Sequence, residues 1–323
     1  MRVCPVRFAK VSGWGSAGRL PCASRLPTLD LFMFAGTHTA LVTPFRDGQI
    51  DEVAFEHLID TQIAAHITGI VPVGTTGESP TLDHAEHCRV IEIAVQRAKG
   101  RCLVTAGTGS NSTAEAVNLT QEAEKLGADA ALLVAPYYNR PTQEGLFLHY
   151  AKIAENTRLP LMLYSIPGRC GVEIGVDTVV RLASQFSNIR AIKEAGGSVE
   201  RVSQLRSSLP ASFEVLSGDD SLTLPFMSIG AVGVVSVASN VAPTDVGRLV
   251  RAALEGNYVE ARALHFSLYP LFKDLFIESN PAPVKAVLAK MGIIYPEVRL
   301  PLSPLTAASE QKLHATLRVC GLL

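Results

Sequence analysis

Ala130-Ala-Leu-Leu-Val-Ala-Pro-Tyr-Tyr-Asn-Arg-Pro141 passes from six apolar residues straight into a proline, two phenols, an amide and a guanidinium. A strand with one wet face alternates apolar and polar side chains, whereas an unbroken apolar run marks a strand covered on both faces, as in a parallel sheet flanked by helices. Seven other short runs have the same character: Thr39-Ala-Leu-Val-Thr43, Gly69-Ile-Val-Pro-Val-Gly74, Cys102-Leu-Val-Thr-Ala106, Pro160-Leu-Met-Leu-Tyr164, Ile189-Arg-Ala-Ile-Lys193, Phe213-Glu-Val-Leu-Ser217 and Gly233-Val-Val-Ser-Val237. Stretches of helical period separate them, among them residues 52–66, 85–98, 113–126, 144–156 and 177–186. Ser112 or Thr113 ahead of Glu115 is a helix-start signal, as is Asp177 ahead of a Val/Leu-periodic run.

Eight βα units in succession predict an α/β fold, a (β/α)8 TIM barrel with its helices outside. The rival, an open doubly wound sheet, seldom uses eight consecutive parallel strands and carries a Gly-rich turn after the first; here the first predicted strand runs into Thr43-Pro44-Phe45. Helical pattern continues past the eighth strand over residues 245–255, 258–276, 283–291 and 306–320. The last three stretches exceed what a barrel needs. They are read as a small C-terminal helical subdomain, residues 257–323, broken mainly at Asn280-Pro-Ala-Pro283, with the barrel over residues 33–256.

The first 32 residues differ from the rest, with five basic residues (Arg2, Arg7, Lys10, Arg19, Arg25) and no acid before Asp30. They read either as an organelle transit peptide or as a start codon placed too early, with translation beginning at Met33. Both readings exclude the stretch from the fold. Across the chain, 29 basic side chains face 30 acidic ones, which leaves no electrostatic footprint for nucleic acid or an anionic membrane. No apolar run approaches the roughly 20 residues that span a bilayer. Cys4, Cys22, Cys88, Cys102, Cys170 and Cys320 are scattered without a Cys-x-x-Cys pair, which argues against a disulfide framework or zinc knuckle and fits a reducing compartment, the cytoplasm.

In a parallel barrel the chemistry gathers at the C-terminal ends of the strands. Strand ends here carry Gly74-Thr-Thr-Gly-Glu-Ser79, Pro136-Tyr-Tyr-Asn-Arg-Pro141, Tyr164-Ser-Ile-Pro-Gly-Arg169 and Lys193-Glu194. The lysine is the most telling of these. An ammonium in an apolar strand loses its proton more readily and becomes the nucleophilic amine that a Schiff base with a carbonyl substrate requires, although a strand-end lysine reaching solvent or pairing with Glu194 is the plainer reading. Glycines at 74 and 77 let backbone N–H groups approach a small anion, with the neighbouring hydroxyls as further donors. His84 and His87, one helical turn apart beside Glu86, suggest zinc, but the pattern is not His-Glu-x-x-His and a third ligand is not evident, so a solvated helix face competes with it. Thr105-Ala-Gly-Thr-Gly-Ser-Asn111 lacks the lysine of a phosphate loop.

Together, Gly-Thr-Thr-Gly-Glu, Tyr-x-x-Pro-x-Arg-x-Gly and the lysine of Ile-Lys-Glu-Ala resemble the dihydrodipicolinate synthase and N-acetylneuraminate lyase family of pyruvate-dependent class I aldolases, over residues 34–323. Pro-Tyr-Tyr-Asn-Arg-Pro, Leu-Ser-Gly-Asp-Asp and Leu-Pro-Leu-Ser-Pro-Leu-Thr make it most similar to the members that condense pyruvate with L-aspartate 4-semialdehyde, at the entry to diaminopimelate and lysine synthesis. The resemblance implies a Schiff base on Lys193, with no metal and no organic cofactor. It implies a proton relay of Tyr164, Thr75 and Tyr138, the last reaching into a neighbouring subunit of a homotetramer built as a dimer of dimers.

By the same resemblance Thr75 and Thr76 hold the pyruvate carboxylate, Arg169 holds the carboxylate of the semialdehyde, and the backbone carbonyl of Val235 lines the site opposite the imine. A sister aldolase acting on N-acetylneuraminate or a keto-deoxy sugar acid is the nearest alternative, and Arg169 speaks against it; the intact set of Lys193, Tyr164, Thr75 and Tyr138 speaks against a catalytically idle barrel. Ser79, Pro80, His84, His87, Asn111, Glu115 and Tyr137 resemble the family's site for inhibition by L-lysine, with Glu115 pairing with the inhibitor's α-amino group. The sequence departs from commoner family residues at Ser165, Gly168 and Cys170, where Asn, Ser and Thr are expected, and Cys170 stands where it could tune the second-substrate pocket.

Overall fold

Eight parallel strands close into a barrel in the computed structural model, which describes residues 32–323. They are β1 (Gly36–Ala40), β2 (Gly69–Val71), β3 (Leu103–Gly107), β4 (Ala130–Val134), β5 (Leu161–Ser165), β6 (Ile189–Glu194), β7 (Glu214–Ser217) and β8 (Gly233–Ser236). Each pairs with its sequence neighbours, and β1 closes the ring between β8 and β2. Besides a single helical turn at Pro167–Cys170, the helices are α1 (Glu52–Ala64), α2 (His84–Ala98), α3 (Thr113–Leu126), α4 (Gln143–Ala154), α5 (Val176–Gln185), α6 (Val199–Ser208), α7 (Thr223–Met227) and α8 (Pro243–Leu254). The TIM barrel read from the sequence is therefore observed. Three helices follow, α9 (Tyr258–Asp274), α10 (Ala282–Lys290) and α11 (Ala307–Val319). Of the extension read over residues 1–32, all but Phe32 lies outside the described residues. Among the described residues no helix is long and apolar enough to cross a membrane.

Local chemistry explains where the helices begin. Asp51, Asp83, Ser112, Thr142, Ser198, Asn257 and Thr306 each accept a hydrogen bond from a backbone N–H of the first turn, which satisfies a donor that the helix itself leaves free. At α2 the cap is reciprocal, because Glu86 also accepts from the Asp83 backbone.

Strand periodicity divides the core into two layers. One set of alternate side chains points outward into a large cluster shared with the helices, including Val104, Ala131, Leu163, Ile192 and Val215. The other set fills the barrel, with Ala40, Val71, Leu132, Met162, Ala191, Leu216 and Val235 stacked above Phe34. One prediction missed its register: the first strand, expected at residues 39–43, occupies Gly36–Ala40. Leu41 and Val42 do continue the apolar run as buried core, but the strand proper is polar and buried, with Thr39 donating to Gln62 of α1 at 2.7 Å and His38 bonded to the Phe34 carbonyl at 2.9 Å.

Candidate active site

Strand parity puts Lys193 inside the barrel. Ala191, two residues earlier, belongs to the interior layer, so Lys193 occupies the next inward position toward the C-terminal end of β6. Tyr164 of β5 is its register partner, and the Lys193 nitrogen lies 4.1 Å from the centre of the Tyr164 ring. Gly218, just past β7, makes room: a Cβ there would come within 3.1 Å of both Cγ and Cε of Lys193. With only 6% of its surface exposed, the lysine has its pKa lowered to about 7. Burial is the main cause, the nearby Arg169 pushes the same way, and the carboxylate of Asp220 resists.

The plainer reading, that Lys193 pairs with Glu194, is not what the structure shows. Glu194 has the opposite parity and is engaged outward, accepting from Arg201 Nε at 2.8 Å and from the backbone N–H of Gly196 at 2.7 Å. Arg201 in turn donates to the Ile174 carbonyl at 2.5 Å and to Glu173 at 3.1 Å.

Above β2 the chain makes a 3-10 turn over Thr75–Gly77 and leaves it through Glu78 in the left-handed region, at φ 56°. Gly77 lies close to its neighbours, since a Cβ would sit 3.2 Å from the Leu41 carbonyl oxygen, tighter than most real contacts. Thr43 fastens the turn by donating to the Gly77 carbonyl at 2.7 Å. Thr75 and Thr76 thus border a cavity of about 70 Å³ that Tyr164, Arg169, Lys193 and Asn280 also line. Burial raises the Tyr164 phenol above its ordinary value, so the free site holds it protonated.

A second cavity of about 370 Å³ adjoins the first, with Thr75, Ser79, Ile166 and Arg169 bordering both. Ser79, Pro80, His84, His87, Glu115 and Tyr137 all line it. Glu115 accepts from Ser110 and bonds His84 Nε2 at 2.9 Å, and these contacts hold its carboxyl below the usual range. His87 is buried, bonds the Gly107 carbonyl at 3.0 Å, and has its pKa lowered by burial. Neither histidine joins a group of three or more candidate metal ligands among the described residues. Cys170 borders this cavity with its thiol raised to about 11 by burial. Ser165 is buried and accepts from the Ile174 N–H at 3.4 Å, while Gly168 stands in open space where a Cβ would meet nothing within 4 Å.

Three residues of the sequence-derived set do not line either cavity. Tyr138 is 90% exposed, at φ 72°, and no hydrogen bond joins it to Thr75 or Tyr164 among the described residues. Val235 is packed in the interior layer, and Val237 is the β8-side residue that borders the first cavity. Asn111 does not border the second cavity; its carbonyl accepts from the Asn139 side chain at 2.9 Å.

Sequence reasoning passed over Asp220, Asn280 and Phe276. Asp220 is buried, with one carboxylate oxygen accepting from the N–H groups of Val237 and Ala238 at 3.0 and 2.9 Å, and burial lifts its pKa to about 6. An acid directly after a predicted strand in Leu216-Ser-Gly-Asp-Asp220 was the available signal. Asn280 and Phe276 offered none, because they reach the cavity from the link between α9 and α10, far away in sequence.

The model of the dihydrodipicolinate synthetase family matches residues 33–319. A 4-hydroxy-tetrahydrodipicolinate synthase from Syntrophus aciditrophicus is 53% identical over 291 residues, 90% of this chain and 100% of that protein. The solved 4-hydroxy-tetrahydrodipicolinate synthase of Methylacidiphilum fumariolicum SolV superposes with a TM-score of 0.88 at 58% identity, covering 89% of this chain and 96% of that one. The enzyme of Cyanidioschyzon merolae, solved with lysine bound, gives a TM-score of 0.88 at 40% identity and covers 90% of this chain and 100% of that one. Sequence, fold and the placement of Lys193 beside Tyr164 agree: the chain belongs to the dihydrodipicolinate synthetase family.

Proposed function

We propose that the protein condenses pyruvate with L-aspartate 4-semialdehyde to give 4-hydroxy-tetrahydrodipicolinate, the first committed step of lysine and diaminopimelate synthesis. The observation that carries this reading is a buried amine with a pKa near 7, set against a phenol in a cavity that also presents two threonines and an arginine. Relatives that match this chain over their full length bear the name of that synthase.

Lys193, as the free amine, attacks the ketone carbon of pyruvate, and loss of one water leaves an iminium. Its positive charge acidifies the pyruvate methyl group, and removal of a methyl proton gives an enamine. The enamine carbon attacks the aldehyde carbon of the semialdehyde, forming the new C–C bond, and the aldehyde oxygen takes up a proton. The semialdehyde's own amine then attacks the imine carbon, closes the ring and releases Lys193 as the amine. One water leaves for each product formed. Thr75 and Thr76 hold the pyruvate carboxylate. Arg169, on the wall common to both cavities, holds that of the semialdehyde with its planar fork.

The protons move through Tyr164, whose phenol ionises more easily once a cationic iminium replaces the neutral amine beside it. Thr75 relays them onward, and Tyr138 of a second copy completes the chain in a homotetramer. Its exposure, in a left-handed backbone beyond the barrel mouth, supports a role outside its own subunit. The second cavity takes L-lysine as inhibitor, its α-ammonium on Glu115 and its other polar ends on Ser79, His84, His87 and Tyr137, with Asn111 outside the cavity wall. Its wall in common with the catalytic cavity, at Thr75, Ser79 and Arg169, gives inhibition a short route.

Turnover of the two substrates, coupled to dihydrodipicolinate reductase and read as loss of NADPH, tests the reaction. Borohydride should trap pyruvate on Lys193, and a pyruvyl label on another lysine would defeat the mechanism. Arg169→Ala should slow the semialdehyde reaction by about 10²-fold or more, while pyruvate trapping stays near wild type. Equal losses in both would point to a different second substrate. Glu115→Ala should abolish inhibition by lysine, and a variant inhibited like the wild type would remove the inhibitor from this cavity.

A further inference from the structure

Barrel closure needs nothing beyond α8, yet the segments that follow pack against the turn bordering the catalytic cavity and bring Phe276 and Asn280 to its wall. Lys285 of α10 is 1% exposed, and its ammonium donates to Glu78 at 2.5 Å and to the Thr43 carbonyl at 2.9 Å, 4.3 Å from the centre of the Phe45 ring. The second oxygen of Glu78 accepts from the backbone N–H of Arg299 at 3.0 Å. The guanidinium of Arg299 covers the same Phe45 ring at 4.2 Å and grips Glu86 at the start of α2 through two hydrogen bonds of 2.6 Å. Asn280, in the link before α10, donates to the Thr76 hydroxyl at 3.0 Å.

Glu78 is the residue through which the Thr75–Gly77 turn ends, and it holds a left-handed backbone that an L residue seldom adopts unaided. Its carboxylate points away from the cavity, into a fully buried ion pair with a lysine 207 residues further on. A buried pair of this kind is weak evidence for stability, because desolvation offsets the attraction; what it adds here is a directional tie between the Glu78 carboxylate and α10.

We propose that Lys285 is a positioning residue for the pyruvate carboxylate, acting through Glu78 to set the turn whose hydroxyls and amides receive that anion. The C-terminal helices are on this account part of the binding apparatus of the barrel. The inference rests on the reading of Thr75 and Thr76 given under Proposed function.

The test measures the pyruvate concentration that half-saturates borohydride trapping on Lys193, the maximal trapping, and the KM of the semialdehyde, in full-length protein. Lys285→Met should raise the half-saturating pyruvate about tenfold or more and leave maximal trapping and the semialdehyde KM within about twofold. Loss of structure alone would lower the maximal trapping instead. If Lys285→Met does not fold, the double variant Lys285→Met/Glu78→Met, which leaves no buried charge unpaired, should fold and show the same tenfold weakening. A folded variant of either kind that half-saturates within about twofold of wild type overturns the proposal. Wild-type protein that traps no pyruvate on Lys193 would instead overturn the reading beneath it.

Discussion

At Lys193 the sequence showed which residue matters, and burial determines how it behaves. An ordinary lysine titrates near pH ~10.4, so the amine needed for imine formation would be scarce at neutral pH. With its pKa lowered to about 7, the trapping of pyruvate by Lys193 should rise with pH to a midpoint near 7 and level off above it. Cyanoborohydride trapping across pH 5.5 to ~9 checks this, and a midpoint near ~10 would show that the barrel does not desolvate the amine. Asp220 opposes the shift, so Asp220→Asn should move the midpoint lower, with more trapping at the acid end. Of the residues around Lys193, Tyr164, Thr75, Thr76 and Arg169 were legible because each lies at a strand end or in the turn after one. Asp220 and Asn280 were not, nor was Lys285 behind the Thr75–Gly77 turn, because a side chain's burial and partners depend on segments distant in sequence.

The strands and helices were read well wherever one local rule acted alone. The limits of α3 match the sequence reading because Ser112 caps its start and Gly127, in the left-handed region, ends it. No bounds were read for the helix over Val199–Ser208, where only Val202 and Leu205 supply buried apolar side chains to α6. Its place is secured by Arg201, whose guanidinium is buried against Glu194 and Ile174. Arg201→Met would leave the Glu194 carboxylate buried without its cation and should cost about 3–5 kcal/mol of stability. Urea unfolding measures this, and a loss under about 1 kcal/mol would show that the pair is dispensable to the β6–α6 unit. β1 illustrates the opposite failure: Thr37, His38 and Thr39 look solvent-facing by composition, yet all are buried by contacts with Phe34, Thr68 and Gln62.

For the whole molecule, the base of the barrel holds a pH-sensitive closure. Glu214 of β7 points inward and accepts from the backbone N–H groups of Met33 and Phe34 at 3.0 and 2.7 Å, beneath the fully buried Phe34 ring. Burial raises its pKa from 4.5 to about 7, a shift that those hydrogen bonds and Arg190 reduce but do not cancel. The folded protein therefore binds this proton more tightly than the unfolded chain. Its contribution to stability is full below pH 4.5 and is lost as the pH rises through about 7. Asp220 titrates in the same sense, so the informative quantity is the difference between wild type and Glu214→Gln, whose Tm should fall less steeply between pH 4.5 and 7. Parallel Tm profiles would remove Glu214 from the balance. Taken alone, the sequence determined the order of eight βα units, the barrel they form and the strand ends where the chemistry gathers, because apolar period, caps and turn residues act between near neighbours. The proton affinity of Lys193, the burial of Glu214 and the reach of Lys285 to Glu78 were decided only by the tertiary structure, because desolvation and ion pairing depend on which distant segments exclude water together.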